Sequence, residues 1–233
     1  MKNEVLLILN VVVIYTLTVL FYRIYGKKGL FCWNVLATIT ANIEVMILIN
    51  AFGMEQTLGN ILFASTFLTT DILSENHSKK DASFAVKTGI AVSLAFIIIT
   101  RFWFLFVPSE NDMVMPAIQS VFYNTPRVMF AGFFVYAVVQ MLDVFLYHKI
   151  WDFTEKKYGE RKSLLWLRNN GSTLTSQLIN SILFNLIAFA GVYDKGTLVN
   201  IIISTYVIYI FTSLLDTPVV YIARKIKKTE FNE

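Results

Sequence analysis

Long apolar runs alternate with short polar or charged breaks along this chain. A helix needs about 20 residues to cross hydrocarbon, and the runs predict seven such spans, near residues 5–25, 31–52, 57–75, 84–107, 127–148, 171–192 and 198–222. The polar residues inside the runs are periodic. Thr173, Gln177, Asn180 and Phe184 stand at i, i+4, i+7 and i+11, as do Tyr136, Gln140, Asp143 and Tyr147, so each set forms one helical stripe. An unpaired polar group in an apolar medium costs about 2–7 kcal/mol, so the stripes must face other helices or a wet cavity. Two uses stand open: hydrogen bonds that hold helices together, worth about 0.6 kcal/mol each, or a site for a solute. Matching stripes on several spans favour the solute.

Lys and Arg give the predicted runs a direction. Arg23, Lys27, Lys28, Lys79, Lys80, the basic residues from Lys149 to Arg168 and those from Arg224 to Lys228 fall on one side of the alternating connections. Only Lys2 and Lys195 fall on the other. Positive charge stays in the cytoplasm, which predicts seven crossings with the N-terminus outside and the C-terminus inside. The expectation is an all-α integral membrane protein of three parts. Residues 1–30 are a peripheral transmembrane helix, 31–222 a six-helix core, and 223–233 a basic cytoplasmic tail. A tight turn is expected at Gly26–Gly29, and a kink at Pro218.

Composition agrees: 56% of residues are hydrophobic and 15% charged, the latter well below the roughly 25% of soluble chains. The net charge of +4 follows from sidedness and is no sign of a nucleic-acid partner. One cysteine, Cys32, excludes an internal disulfide, and His77 and His148 alone suggest no metal cluster. No HExxH, GxSxG or Walker A pattern occurs. The expectation is therefore no enzyme, no cofactor and no ATP hydrolysis by the chain itself.

Ionisable residues within spans are functional candidates. Glu44 and Asn42 fall near the middle of the second predicted span, pointing apart, with Ala37 and Ala41 on Glu44's face as a close-packing surface within or between protomers. Asp71 and Glu75, one turn apart, need basic partners or a proton. At 1.5 Å per residue, Asn42, Glu44, Thr66, Tyr136, Gln140, Gln177 and Asn180 share the bilayer centre, with Phe63, Phe67 and Phe184 close by. Asp71, Glu75, Asp143, Arg168 and Asp216 lie toward the cytoplasm. The first group, with Thr173 and Tyr209, suits a substrate site at mid-membrane; the second suits a gate or a proton-coupling group. Residues 108–126, bracketed by prolines, form an external segment whose piece Ala117–Tyr123 is either a surface helix or a lid.

Several pieces in order carry a resemblance. LWLRNNGST at Leu165–Thr173, with Ala41–Asn42, Thr57–Asn60, Asp71–Glu75, Pro126–Arg127, Tyr136–Asp143 and Asp216–Pro218, resembles the queuosine-precursor transporter family, also called the vitamin uptake transporter family. The resemblance implies import of 7-deazaguanine bases, the queuosine precursors and queuine, across the bacterial inner membrane. It also marks departures. The family pattern has Gln where Glu44 stands, Gly where Ser78 stands, Asp where Asn180 stands and Lys where Tyr209 stands. The last two changes together remove an acid and a base. With Glu44 they suggest a site retuned for a ligand bearing a cationic amine. Partners beyond the substrate and the lipid bilayer are expected to be a second copy or a separate energy-coupling ATPase module. The alternatives are a substrate-binding membrane subunit of an energy-coupling-factor system and a non-transport assembly protein.

Overall fold

The computed structural model describes residues 2–122, 126–159 and 164–226. Among these, seven α-helices and one short hairpin follow one another: α1 (Lys2–Glu44), β1 (Leu48–Ala51), β2 (Met54–Thr57), α2 (Asn60–Asn76), α3 (Lys79–Trp103), α4 (Met115–Phe122), α5 (Pro126–Tyr158), α6 (Leu165–Phe189) and α7 (Lys195–Lys225). Five of them, α1, α3, α5, α6 and α7, are long and apolar enough to cross a membrane. The chain is an α-helical membrane protein.

Two predicted spans share α1. The helix breaks at Gly26, where φ 60° and ψ −144° belong to a region that only glycine enters readily. The first arm, 2–25, buries Leu7, Val11, Ile14 and Tyr15 and leaves Val5, Leu6, Ile8, Leu9, Val12 and Val13 on the outside, as a helix at the rim of a bundle does in lipid.

The second span needs correcting. It was expected to run to residue 52, but the helix ends at Glu44 and the chain turns into an antiparallel hairpin pairing Leu48 with Thr57 and Ala51 with Met54. Phe52 and Gly53 both take positive φ (53° and 71°), the turn that matches strand twist. A short apolar run reads equally as helix or strand, and that ambiguity hid the hairpin. Asn3 Nδ2 donates to the Asn50 carbonyl at 2.8 Å, and the Phe52 N–H donates to Glu4 at 3.3 Å, tying the hairpin to the start of α1.

Helix α2 sits at the centre, packed against α1, α3, α5 and α7. It is short, and nearly every residue from Asn60 to Ser74 is buried. Helices α5 and α6 lie along each other, and α7 closes on α6 and α2. Ala37 and Ala41 face inward, so their close packing is within the protomer. Ser78, one of the departures, is the N-cap of α3 and accepts from the Asp81 N–H at 3.1 Å; a hydroxyl caps better than the glycine it stands for. Asp194 caps α7 in the same way. The Thr197 hydroxyl and backbone N–H that bind it hold its carboxyl below the usual carboxylate range. Helix α7 runs on through Pro218.

Helix α4 rests on α3 through Phe122, whose ring meets Phe96 and Trp103 at centroid distances of 6.0 Å. No residue of α4 lines the cleft described below, and its buried residue is Phe122. Tyr123 lies outside the described residues.

Candidate functional site

The signature pieces converge from separate helices. In α6, Asn170 Nδ2 donates to Thr217 Oγ1 at 2.6 Å and Asn169 Nδ2 to the same oxygen at 3.3 Å. Ser213 donates to the other end of the Asn170 amide at 3.3 Å. The paired asparagines thus fasten α6 to the Asp216–Pro218 turn of α7. Arg127 donates to the carbonyls of Ile187 and Ala190, capping the end of α6 with a cation as helix ends favour.

Below the hairpin these helices enclose a cleft. Asn42 and Thr38 come from α1, Asn60 and Phe63 from α2, Gly132 and Tyr136 from α5, Asn180 and Phe184 from α6, and Tyr209 from α7. The cleft is narrow, with a cavity of about 50 Å³, room for a few waters. Phe63 is the aromatic hub, with ring centroids 5.4 Å from Phe67, 5.9 Å from Tyr136 and 6.4 Å from Tyr209. The polar lining is amide and hydroxyl; among the described residues no charged side chain lines the cleft.

Of the predicted substrate residues, Asn42, Tyr136, Asn180 and Tyr209 meet here. Asn180 and Tyr209, the two neutral departures, both line the cleft. The others lie deeper, bonded among themselves. Gln140 Nε2 donates to Thr66 Oγ1, Thr70 donates back to Gln140 Oε1 at 3.5 Å, and Phe67 is fully buried beside them. Asn180 Nδ2 donates to Gln177 at 3.1 Å, and Thr173 donates to Asp71 at 3.3 Å. Glu44 is absent from the cleft: it is the last residue of α1, half-buried at the helix end. Two residues along from Asn42, it stands on a different face of the helix and so does not meet the cleft.

Asn60, Phe63 and Thr38 also line it. Asn60 was visible in the sequence only as part of Thr57–Asn60, and Phe63 only as a nearby ring. Tyr136 owes its position to Gly89. A Cβ there would overlap the Tyr136 hydroxyl and come within 3.0 Å of Asn34 Nδ2, which donates to Tyr136 at 3.3 Å and to the Ala85 carbonyl at 2.9 Å. Gly89→Ala is expected to push the ring into the cleft and lower uptake about tenfold, the cost of a mispositioned binding group. Expression and melting temperature, changed far less, check that the loss is local.

Deeper still, three helices each bury an aspartate. Asp71 accepts from Thr173, and Asp143 accepts from Ser176 at 2.7 Å. Neither oxygen of Asp216 has a hydrogen-bond partner among the described residues, although the Tyr15 hydroxyl, which donates to the Thr212 carbonyl at 3.3 Å, stands beside it. At the far end Glu75 is held by Arg168 at 2.7 and 2.8 Å, by Tyr147 at 2.9 Å and by Arg224 at 3.4 Å. The Arg168 guanidinium also lies 4.2 Å over the Trp151 ring. So Glu75 has the basic partner expected of the Asp71/Glu75 pair, and Asp71 has a hydroxyl. A wider cavity lined by Tyr22, Glu75, His77, His148, Trp151 and Arg224 opens beyond.

Residues 57–223 match the family described as "Putative vitamin uptake transporter". The "Probable queuosine precursor transporter" of Bacillus subtilis (strain 168) is 34% identical over 225 residues, covering 97% of this chain and 96% of that protein. No solved structure matches. With its long apolar helices and a relative aligned over nearly all of both chains, this multi-pass protein of the bacterial cell membrane belongs to the vitamin uptake transporter family, a family of transporters and not of enzymes.

Proposed function

We propose that the chain imports a 7-deazaguanine queuosine precursor, or queuine, across the bacterial inner membrane, crossing it seven times with its N-terminus outside and its C-terminus in the cytoplasm. The observation that carries the substrate class is the cleft itself. It sets the amides of Asn42, Asn60 and Asn180 among the rings of Phe63, Tyr136, Phe184 and Tyr209, with no charge in its walls. A flat, neutral base needs that combination: amides in place of water at its edge and rings at its faces. The name of the Bacillus subtilis relative supports the same class.

The sidedness follows from charge. Lys27 pairs with Asp81 at 3.4 Å, and Arg168 and Arg224 meet Glu75, so these basic residues gather away from the hairpin and the chain's start. Seven crossings count the two arms of α1 separately and include α2, short but sheathed by its neighbours. The base enters from the hairpin side. Because the space now open holds only a few waters, seating the base parts the helices. The layer of Thr66, Phe67, Gln140, Thr173 and Gln177 then bars its way inward, and the Glu75–Arg168 pair, with Asp71, Asp143 and Asp216 behind it, is the inner gate and the place where a proton is taken up. Alternating access about a central site is how many transporters work.

Labelled queuine supplied to a bacterial host that lacks both its own importer and energy-coupling-factor ATPases tests this. Cells expressing the chain are expected to accumulate label, and cells without it not. Uptake that needs the ATPases would make the chain a substrate-binding subunit. No uptake in either host, and no thermal shift of the purified protein with any 7-deazaguanine, would leave an assembly role.

A further inference from the structure

The cleft amides differ in which end they offer. Asn60 is 6% exposed. Its Oδ1 already accepts from Thr57 Oγ1 at 3.0 Å and from the Tyr209 hydroxyl at 3.1 Å. The end left over is Nδ2, an N–H donor buried in the wall with no partner among the described residues. Asn42 is set the other way round. Its Nδ2 donates to the Thr38 carbonyl at 2.8 Å and lies 3.5 Å from Ser93 Oγ. That leaves Oδ1, an acceptor, toward the Gly132 wall. One wall of the cleft therefore gives a hydrogen and another takes one.

We infer that Asn60 is a specificity-determining residue, whose N–H reads a ring carbonyl of the transported base while Asn42 Oδ1 accepts from that base's N–H groups. This rests on the reading that a base occupies the cleft, and deepens it. A guanine-type edge presents a carbonyl oxygen beside a ring N–H and an exocyclic amine, the complement of this pair. An adenine-type edge puts an amine where the carbonyl was, so two donors would face each other. A ring with hydrogen at that position leaves the Asn60 N–H buried and unpaired, which a site built to hydrogen-bond penalises more than it rewards a match.

The experiment uses the purified full chain in detergent and three probes: 7-deazaguanine, 7-deazaadenine, and 2-amino-7-deazapurine, which lacks the carbonyl oxygen and, with it, the hydrogen on the neighbouring ring nitrogen. Equilibrium binding by the parent protein is expected to favour 7-deazaguanine over 2-amino-7-deazapurine by at least about tenfold, one hydrogen bond's worth. Asn60→Ala should weaken 7-deazaguanine binding and leave the analogue little changed, so the ratio falls several-fold, what remains being the ring N–H that Asn42 reads. Asn60→Leu, which keeps the bulk, should do the same and stands in if the alanine variant does not fold. A parent protein that binds both probes equally, or a ratio unchanged in both variants, overturns the assignment. A parent that binds none of the three overturns the base-in-cleft reading instead, a separate result.

Discussion

Arg168→Leu is expected to abolish uptake and to cost the fold about 3–5 kcal/mol, the usual penalty for leaving one member of a buried ion pair behind. The arginine side chain is fully buried and the Glu75 side chain 2% exposed. Three close contacts join them, at 2.7, 2.8 and 3.0 Å. Without Arg168, Glu75 keeps the Tyr147 hydroxyl and an edge contact to Arg224 at 3.4 Å, on a side chain a quarter exposed. The double variant Arg168→Leu/Glu75→Leu separates stability from gating, because replacing a whole buried pair by apolar groups is often neutral or stabilising. Its melting temperature should return toward the parent's while uptake stays lost. Normal uptake by the double variant would show the pair to be a fastening and not a gate.

Neutralising the buried aspartates should have the opposite signature. Asp71→Asn, Asp143→Asn and Asp216→Asn, made singly, are each expected to raise stability by about 0.5–2 kcal/mol while cutting uptake at least tenfold. That is the trade seen where a strained site does work. All three side chains are essentially without solvent contact, and the hydrogen bonds to Asp71 and Asp143 come from hydroxyls of α6. Burying a carboxylate with so few donors is costly, and three of them together repel. An amide keeps the shape and removes the charge. Asp216, with neither oxygen bonded, should gain most. Melting temperature and uptake measured on the same preparations decide it; a variant that gains stability and still transports at the parent's rate would take its aspartate out of the mechanism.

Much of this was legible in the chain, and the reasons are specific. Unbroken apolar stretches located α3, α5, α6 and α7 within a few residues, though α5 extends past residue 148 because its last turns, with Lys149, Lys156 and Lys157, leave the apolar run. The i, i+4, i+7 spacing placed Tyr136 and Asn180 on inward faces. Asp71 and Glu75, one turn apart, called for a counter-charge, and Arg168 supplies it to Glu75. What misled was local ambiguity. Residues after Glu44 are apolar enough for either a helix or a strand, and reading them as helix hid the hairpin.

The sequence by itself determined that this is a multi-pass helical membrane protein, which helix faces are polar, and which family it resembles, since run length and periodicity are properties of one strand of chain. Only the tertiary structure decided which polar groups look at one another. Gln140 is bonded to Thr66 of α2 and does not line the cleft, whereas Asn60, earlier in α2, has its oxygen taken by Thr57 and Tyr209 and its N–H left over. Periodicity fixes the face a side chain occupies. Which partner stands across from it depends on how far each helix is turned and slid against its neighbour, and no single helix encodes that.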